Sequence, residues 1–307
     1  MNQRGVALIT AIVMVALATI LAVRLAKEGA LDQRRTAATL VLEQARQYAM
    51  GAEAWATEIL RDDATRNDQD DFGEDWAKPV PPLPIEGGTL SGQMEDMQGR
   101  FNINTLVKAD GTADPAAVET FERLLERLHL DVKWARMLAD WLDADTVPDF
   151  QRGAEDGVYL AQTPPYRTAN GPVSSTSELL ALPGFSLAEF RVLAPHVAAL
   201  PVDVRRINLC TATGPVLASL SPEAADFGAA EALAQNRRGG CFPSIEDLRA
   251  TLSDAEFRRI ETQVSQASAW FRLRTVVRIG TMELTLYSLL ERGNGPPRAV
   301  LRSIGSE

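Results

Sequence analysis

The sequence predicts an α+β fold: a long amino-terminal helix, an antiparallel sheet, and a large all-helical block inserted between the sheet's strands. Three observations carry this. An apolar run without charge, residues 6–23, passes without a proline into a stretch where apolar residues recur three, four or seven apart. Alternating segments occur at residues 90–106 and again from 271 to 304. The residues between them have helical periodicity, and strands on both sides of a helical block mean that the block interrupts one sheet-bearing head.

The opening run VALITAIVMVALATILAV is 18 residues long, bounded by Arg4 on one side and by Arg24 and Lys27 on the other. As a helix it covers roughly 27 Å, close to the hydrocarbon thickness of about 30 Å. A cleaved secretory signal fits less well. Only five residues precede the run, no small-x-small site follows it, and helical character continues past Arg24. From residue 25 to 62, Leu31, Ala38, Leu42, Ala45, Ala49, Ala52, Ala56 and Ile59 draw one apolar stripe, with Lys27, Arg34, Glu43, Arg46, Glu53 and Glu58 largely elsewhere. The first 60 or so residues therefore read as one helix of roughly 80–85 Å, half in lipid and half against a head. Arg4 ahead of the anchor places the amino terminus inside and the head outside, in a periplasm.

The acidic, proline-rich stretch RDDATRNDQDDFGEDWAKPVPPLPIEGG lacks periodicity and reads as a surface connection. LSGQMEDMQGRFNINTL then reads as one or two strands. Asp114 as cap with Pro115 in the first turn starts one helix, Asp131 starts a second, and Asp254 starts another near the end of the block. FRLRTVVRIGTMELTLYSLLERG, turning at Gly280 and Thr281, and RAVLRSIG close the chain as strands.

With 46% apolar residues in 307, the chain can build real cores, and a net charge of -10 repels polyanions, which argues against a nucleic-acid partner. Two cysteines and two histidines, His129 and His196, make neither a disulfide scaffold nor a zinc motif. The acidic concentration is elsewhere. Asp140, Asp143, Asp145, Asp149, Glu155 and Asp156 crowd into 17 residues opposed by Arg152. A hard cation taking six to eight oxygens relieves such repulsion, and Asp143 and Asp145 have the i, i+2 spacing of a calcium loop's first ligands. Pro148 and Ala154 rule out an EF-hand, and charge alone favours a solvated acidic loop.

A short leader ending in Gly5, then an uncut apolar helix running into an amphipathic one, resembles the class III leaders of type IV pilins and pseudopilins. That resemblance implies cleavage between Gly5 and Val6 by a prepilin peptidase and methylation of the Val6 amine. Val6 stands where Phe is usual, and Thr10 where the family has a Glu that neutralises the amine of a neighbouring subunit. An unpaired carboxylate in lipid is costly, so its absence suits a subunit with no neighbour ahead of it. FNINTL, WLDAD, GAED, YRTANGP and SELLALPGF resemble segments of the K subunit, the large minor pseudopilin of type II secretion. The resemblance implies a type IV pilin-like fold and a non-enzymatic role at the pseudopilus tip. It implies structural calcium, with Asp143, Asp145, Glu155, Asp156 and Asn170 as ligand candidates. The implied partners are the I and J subunits, with H a further candidate, besides the prepilin peptidase and the inner membrane.

The expected organisation is a leader (1–5), the transmembrane and amphipathic helix (6–62), a linker with the first strands (63–106), the inserted helical domain with its calcium loop (107–267) and the last strands (268–307). Within the insert, residues 174–200 and 207–248 look like helix-hairpin-helix or SAM-like units. Such hairpins commonly hold DNA phosphates on glycine-rich turns. Here the second copy has Ser221, Pro222 and Glu223, and a glutamate repels phosphate. Cys210 and Cys241, 31 positions apart, are expected to bond in an oxidising periplasm, worth on the order of 3–4 kcal/mol, with two buried thiols as the alternative. Two other functions stay open from sequence: a membrane-tethered helix-hairpin-helix DNA-binding protein of an uptake system, and a periplasmic calcium-dependent hydrolase.

Overall fold

A single helix, α1 (Gln3–Asp63), joins the apolar amino-terminal run to the head. The computed structural model describes residues 3–148, 153–293 and 295–305, with side chains from residue 7 onward. An 18-residue window of α1 has a mean hydropathy of 2.5, and none of it is buried. Bare aliphatic surface on that scale is unfavourable in water and favourable in a bilayer. Toward its carboxyl end the same helix buries Ala45, Ala49, Ala56 and Leu60, four members of one face. Leu31, Ala38 and Leu42 continue that face toward the amino terminus and are exposed.

The remaining elements follow in chain order. β1 (Val80–Ile85), β2 (Gly88–Asp96) and the two-residue β3 (Phe101–Asn102) precede the helices α2 (Pro115–Arg127), α3 (Lys133–Leu142), α4 (Asp156–Tyr159) and α5 (Leu187–Leu193). Short β4 (Val197–Ala198) and β5 (Ile207–Asn208) come next, then α6 (Gly214–Leu220), α7 (Ala230–Asn236), α8 (Ile245–Thr251) and α9 (Asp254–Ile260). β6 (Val264–Ser265) leads into β7 (Trp270–Ile279), β8 (Met282–Glu291) and β9 (Arg298–Ile304). The main sheet is antiparallel with order β1-β2-β7-β8-β9. Strands adjacent in space but far apart in sequence, β2 and β7, are the seam across which the helical block is inserted.

One sheet face packs on α1. Leu90, Val277, Ile279, Leu284 and Leu286 meet Ala45 and Ala49. Met94, Phe271, Leu273 and Leu290 meet Ala56, Leu60 and Trp76. β8 alternates buried and half-buried residues along its length, as a strand covered on one face should. Alanines on the helix let the backbone approach the sheet closely, and the larger side chains come from the strands. The second core belongs to the helical block and draws on Phe101, Phe121, Leu138, Trp141, Leu193, Leu217 and Phe257. Met97, Ala198, Leu200 and Trp270 join the two.

Several elements differ from the sequence reading. The stretch read as a surface connection contains a strand: β1 carries Pro81, Pro82 and Pro84, which an edge strand tolerates because its outward side makes no ladder bonds. The same stretch buries Asp70, Asp71 and Trp76. Gly88 opens β2 where an added Cβ would overlap the Arg278 carbonyl. Residues 101–106, expected as a strand of the head, bury themselves in the helical core; Phe101 and Asn102 pair in parallel with β4, and residues 103–106 form a 3-10 turn. Asn102 and Asn104 cause this. Asn102 Nδ2 donates to the Pro201 and Val204 carbonyls, and Asn104 Nδ2 donates to those of Val173 and Leu200.

Glu53, expected on the solvent side of α1, is buried and ties the helix to β9. Arg302 Nε and NH2 donate to its two oxygens at 2.8 and 2.7 Å, and Ser288 Oγ donates at 2.7 Å. At the helix's end Arg292 donates to Asp63 at 2.8 Å, to Asp70 at 2.6 Å and to the Ser268 carbonyl at 2.7 Å. Asp96 lies wholly buried at the seam and accepts from Asn208 Nδ2, Ser268 Oγ, Thr211 Oγ1 and the Gln98 amide.

Two outcomes follow. Arg292→Gln leaves two buried carboxylates without their cation and should lower stability by roughly 3–5 kcal/mol in urea unfolding, whereas Arg298→Gln, removing an exposed pair with Glu291, should change it by about 1 kcal/mol or less. Burial opposes ionisation of Glu53, but Arg302 and Ser288 outweigh it and hold the carboxyl below its ordinary 4.5. The stabilisation is complete above 4.5 and is lost as pH falls through the folded value. Comparing urea midpoints of the wild type and Glu53→Gln between neutral and acid pH should show a steeper acid decline in the wild type; parallel curves would contradict the assignment.

Candidate metal centre

The acidic loop grows out of the carboxyl end of α3. Trp134, Leu138, Trp141 and Leu142 anchor that helix in the core, and Asp143 caps it with its amide on the Ala139 carbonyl at 2.9 Å. The chain then leaves the helix in extended conformation, which carries Asp145 outward while Asp143 stays buried. Glu155 returns as the residue before the single turn α4 and is also buried. Oxygens of Asp143, Asp145 and Glu155 lie within 4.8 Å of one another. Asn170, in the left-handed conformation at φ 46°, donates from Nδ2 to the Asp145 carbonyl at 3.0 Å.

The polar accounting of this group is incomplete within the protein. Glu155 Oε1 and Asn170 Oδ1 are buried acceptors with no hydrogen-bond partner among the described residues. Glu155 Oε2 has one long contact, Thr168 Oγ1 at 3.4 Å. Burial pushes the Glu155 carboxyl up to about 7, and Asp140, Asp143 and Asp145 add to the rise. Unmet acceptors and mutually repelling carboxylates are what a hard divalent cation satisfies, and carboxylate plus amide oxygens suit calcium. The donor set fits the ion.

Not every expected ligand is in this group. Asp156 is engaged otherwise: Arg167 NH1 donates to it at 3.0 Å, and the Thr168 amide and hydroxyl donate at 3.2 and 3.1 Å. Its role is to hold residues 167–168 under the loop. Asp149 and Arg152 lie outside the described residues. A wall of Trp141, Tyr159 and Tyr166, with ring centroids 5.0–6.4 Å apart, stands beside the site, and Trp141 and Tyr159 are buried. Tyr166 is pinned by its hydroxyl, which donates to the Ala181 carbonyl at 2.6 Å. This wall was not read from the sequence. Its only trace there is three aromatics in the same segment as the acids.

Sequence reading also missed a second acidic group, Asp63, Asp70 and Glu74. Its cation is already present as Arg292, and Glu74 accepts from the Trp76 indole at 2.8 Å and the Asp71 amide at 3.1 Å. Cys210 and Cys241 form a disulfide with Cα atoms 4.3 Å apart. Thr10 turns its hydroxyl onto the Ala7 carbonyl at 2.9 Å, so the helix itself satisfies it. The backbone of Gly5 and Val6 belongs to α1.

The turns of the two segments that resemble helix-hairpin-helix units are built differently. Gly184, at φ 85°, makes the first hairpin. In the second, Ser221 caps its own turn and Glu223 accepts from the Ser253 amide and hydroxyl at 2.8 and 3.1 Å. Arg237 and Arg238 are a small basic exception in this acidic chain; Arg238 is exposed, and Arg237 gives its guanidinium to the carbonyls of Phe242, Leu209 and Ala212. Burial lowers it to about 10. A cation turned into the fold offers nothing to a phosphate.

An antiparallel head packed on a long helix with a bare apolar half defines a pilin-like protein whose helix is long and apolar enough to anchor in a membrane, and the inserted helical block with its acidic loop marks a subclass. Two models of the family described as "Type II secretion system (T2SS), protein K" match residues 99–202 and 207–268. Type II secretion system protein K of Pseudomonas aeruginosa is 37% identical over 99% of this chain and 93% of its own length, and that of Pectobacterium carotovorum is 33% identical over 99% and 97%. A crystal structure of the GspK-GspI-GspJ complex from enterotoxigenic Escherichia coli superimposes with a TM-score of 0.79 at 26% identity, over 89% of this chain and all of that one. The chain belongs to the type II secretion system protein K family and is a minor pseudopilin.

Proposed function

We propose that the protein is the tip subunit of a type II secretion pseudopilus and a structural part of the export machine, not an enzyme. It is anchored in the inner membrane with its amino terminus cytoplasmic and its head periplasmic. The whole-length similarity to protein K relatives carries this reading, because it includes the anchor, the head and the insert together. A structure similar to this chain is a complex with two other pseudopilins, and by that likeness its partners are the I and J subunits, with H a further candidate. The prepilin peptidase removes residues 1–5 and the Val6 amine is methylated. The insert broadens the head beyond what the helix and sheet alone occupy, and Thr10 offers no carboxylate to a subunit ahead.

A calcium ion closes the acidic loop. Asp143, Asp145 and Glu155 hold it, Asn170 adds its unmet amide oxygen, and Asp156 supports from outside. The ion supplies charge neutralisation and a fixed loop geometry. What the chain contributes is the aromatic wall beside the site and the helix end that aims Asp143.

Calcium at about 100 times its dissociation constant should stabilise the full chain by about 2.7 kcal/mol, read as a rise in Tm over chelator. Glu155→Gln and Asp143→Asn should abolish the rise, and Asp156→Asn should retain it. In chelator Glu155→Gln should be no less stable than wild type, since a neutral side chain ends the repulsion. Absence of a calcium effect in the wild type would remove the ion. Separately, intact mass of the chain purified from inner membranes holding an active prepilin peptidase should show an N-methylated start at Val6; a start beyond residue 23 would contradict the filament role.

A further inference from the structure

Between the apolar run and the head, α1 carries Arg24, Lys27, Arg34 and Arg35, all exposed. At about 100° per residue these four fall within an arc of roughly 100° on one side of the helix. Leu31, Ala38 and Leu42 lie on the same side and are exposed too, so Lys27 and Arg34, expected largely off the apolar stripe, fall on it and it mixes cations with apolar contact area. Glu28 and Asp32 sit off its edge. Each makes one exposed pair, Arg24 with Glu28 at 3.0 Å and Arg35 with Asp32 at 3.4 Å, and such pairs exchange readily for another anion. Lys27 and Arg34 have no ion-pair partner among the described residues.

We propose that this stripe binds the phosphates of anionic lipid headgroups and leans the helix toward its basic side. The inference rests on residues 6–23 spanning the bilayer. Arg24 and Lys27 then stand about 1.5 and 6 Å above the end of the hydrocarbon, inside a headgroup layer about 5–8 Å thick. A protein partner would have to enter that layer to reach them; lipid phosphates are already there. Arg34 and Arg35 stand about 16–18 Å along the axis. A lean within the roughly 0–40° that spanning helices adopt brings them to about one Debye length of the headgroups. The stripe shares the side on which Ala45, Ala49 and Ala56 receive the sheet, so the lean carries the head down over the membrane surface. Before assembly the head is thereby held at one side of its anchor instead of swinging about it.

The test uses the full chain in nanodiscs of equal phosphatidylglycerol and phosphatidylcholine, followed by gentle detergent release and quantification of retained lipid. The wild type should retain phosphatidylglycerol at about five-fold excess or more, consistent with the attraction of a few juxtamembrane cations. The triple variant Lys27→Gln, Arg34→Gln, Arg35→Gln should retain the two lipids equally while circular dichroism shows the same helix content. Equal retention in the wild type, or unchanged excess in the variant, would overturn the proposal. Loss of the excess in inorganic phosphate but not in chloride of equal ionic strength would show a free-phosphate site and overturn the lipid assignment, and an excess that appears only with the other pseudopilins present would make the stripe a protein interface. Insertion is read separately, as carbonate-resistant association with pure phosphatidylcholine vesicles. Failure there would sink the spanning helix, whereas success there with no headgroup preference would sink only the stripe.

Discussion

The buried carboxylate of Asp96 is the constraint on which the architecture turns. It sits at the end of β2, where the chain leaves the sheet for more than 160 residues of helices before returning at β7. Its acceptors are filled from both sides of that excursion: Asn208 and Thr211 belong to the insert, Ser268 to the return, and the Gln98 amide to the departure. Burial raises its pKa, and these donors oppose the rise. Asn208 also reaches the Asp70 carbonyl, and Asp70 takes the Ser268 amide and Arg292. One connected network therefore ties the exit, the re-entry, the end of α1 and the end of β8. Removing any member strands the others in a dry place, so the network fixes how insert and sheet meet in a way that apolar packing alone, which tolerates sliding, would not.

The candidate metal loop depends on the same separation between rigid frame and irregular chain. The helix α3 delivers Asp143 as its cap, and the aromatic wall stands beside the site. Among the described residues between them the backbone forms no strand ladder, and the acids cannot be neutralised by each other. The network at Asp63 and Asp70 shows the alternative solution in the same molecule. There an arginine from β8 enters, stacks over Phe271 at 4.9 Å and makes the site permanent. A guanidinium locks two elements there, whereas the loop of Asp143, Asp145 and Glu155 is the one we propose an ion to set.

What could be read from the sequence follows from which interactions are local. The α1 stripe, the Asp114 cap with Pro115, the hairpin at Gly280 and Thr281, and the cluster of Asp143, Asp145 and Glu155 all declare themselves within a few residues. The misreadings are all long-range. Glu53 lies inward because Arg302, 249 positions away, meets it. The proline-rich segment is a strand because it lies on a sheet edge, and nothing local distinguishes an edge from a loop. Residues 101–106 look alternating but turn into the helical core because two asparagines find carbonyls about 70–100 positions on. Asp156 looks like its neighbours in charge and differs only in having Arg167 and Thr168 folded onto it.

These contacts also determine how a pull on the helix reaches the tip. An axial load enters α1 from the membrane end and leaves it in two places. The helix alanines packed against the larger side chains of the sheet resist by shape, and Glu53 with Arg302 resists by a pair of charge-assisted bonds across the helix-sheet boundary. At the top, Asp63 passes the load through Arg292 to the end of β8 and to Asp70. From Asp70 the path runs by Asn208 into the insert. Each link joins elements distant in sequence, so no single segment can peel away without breaking a buried polar contact whose partner then has no water. A head built this way moves with its helix as one body.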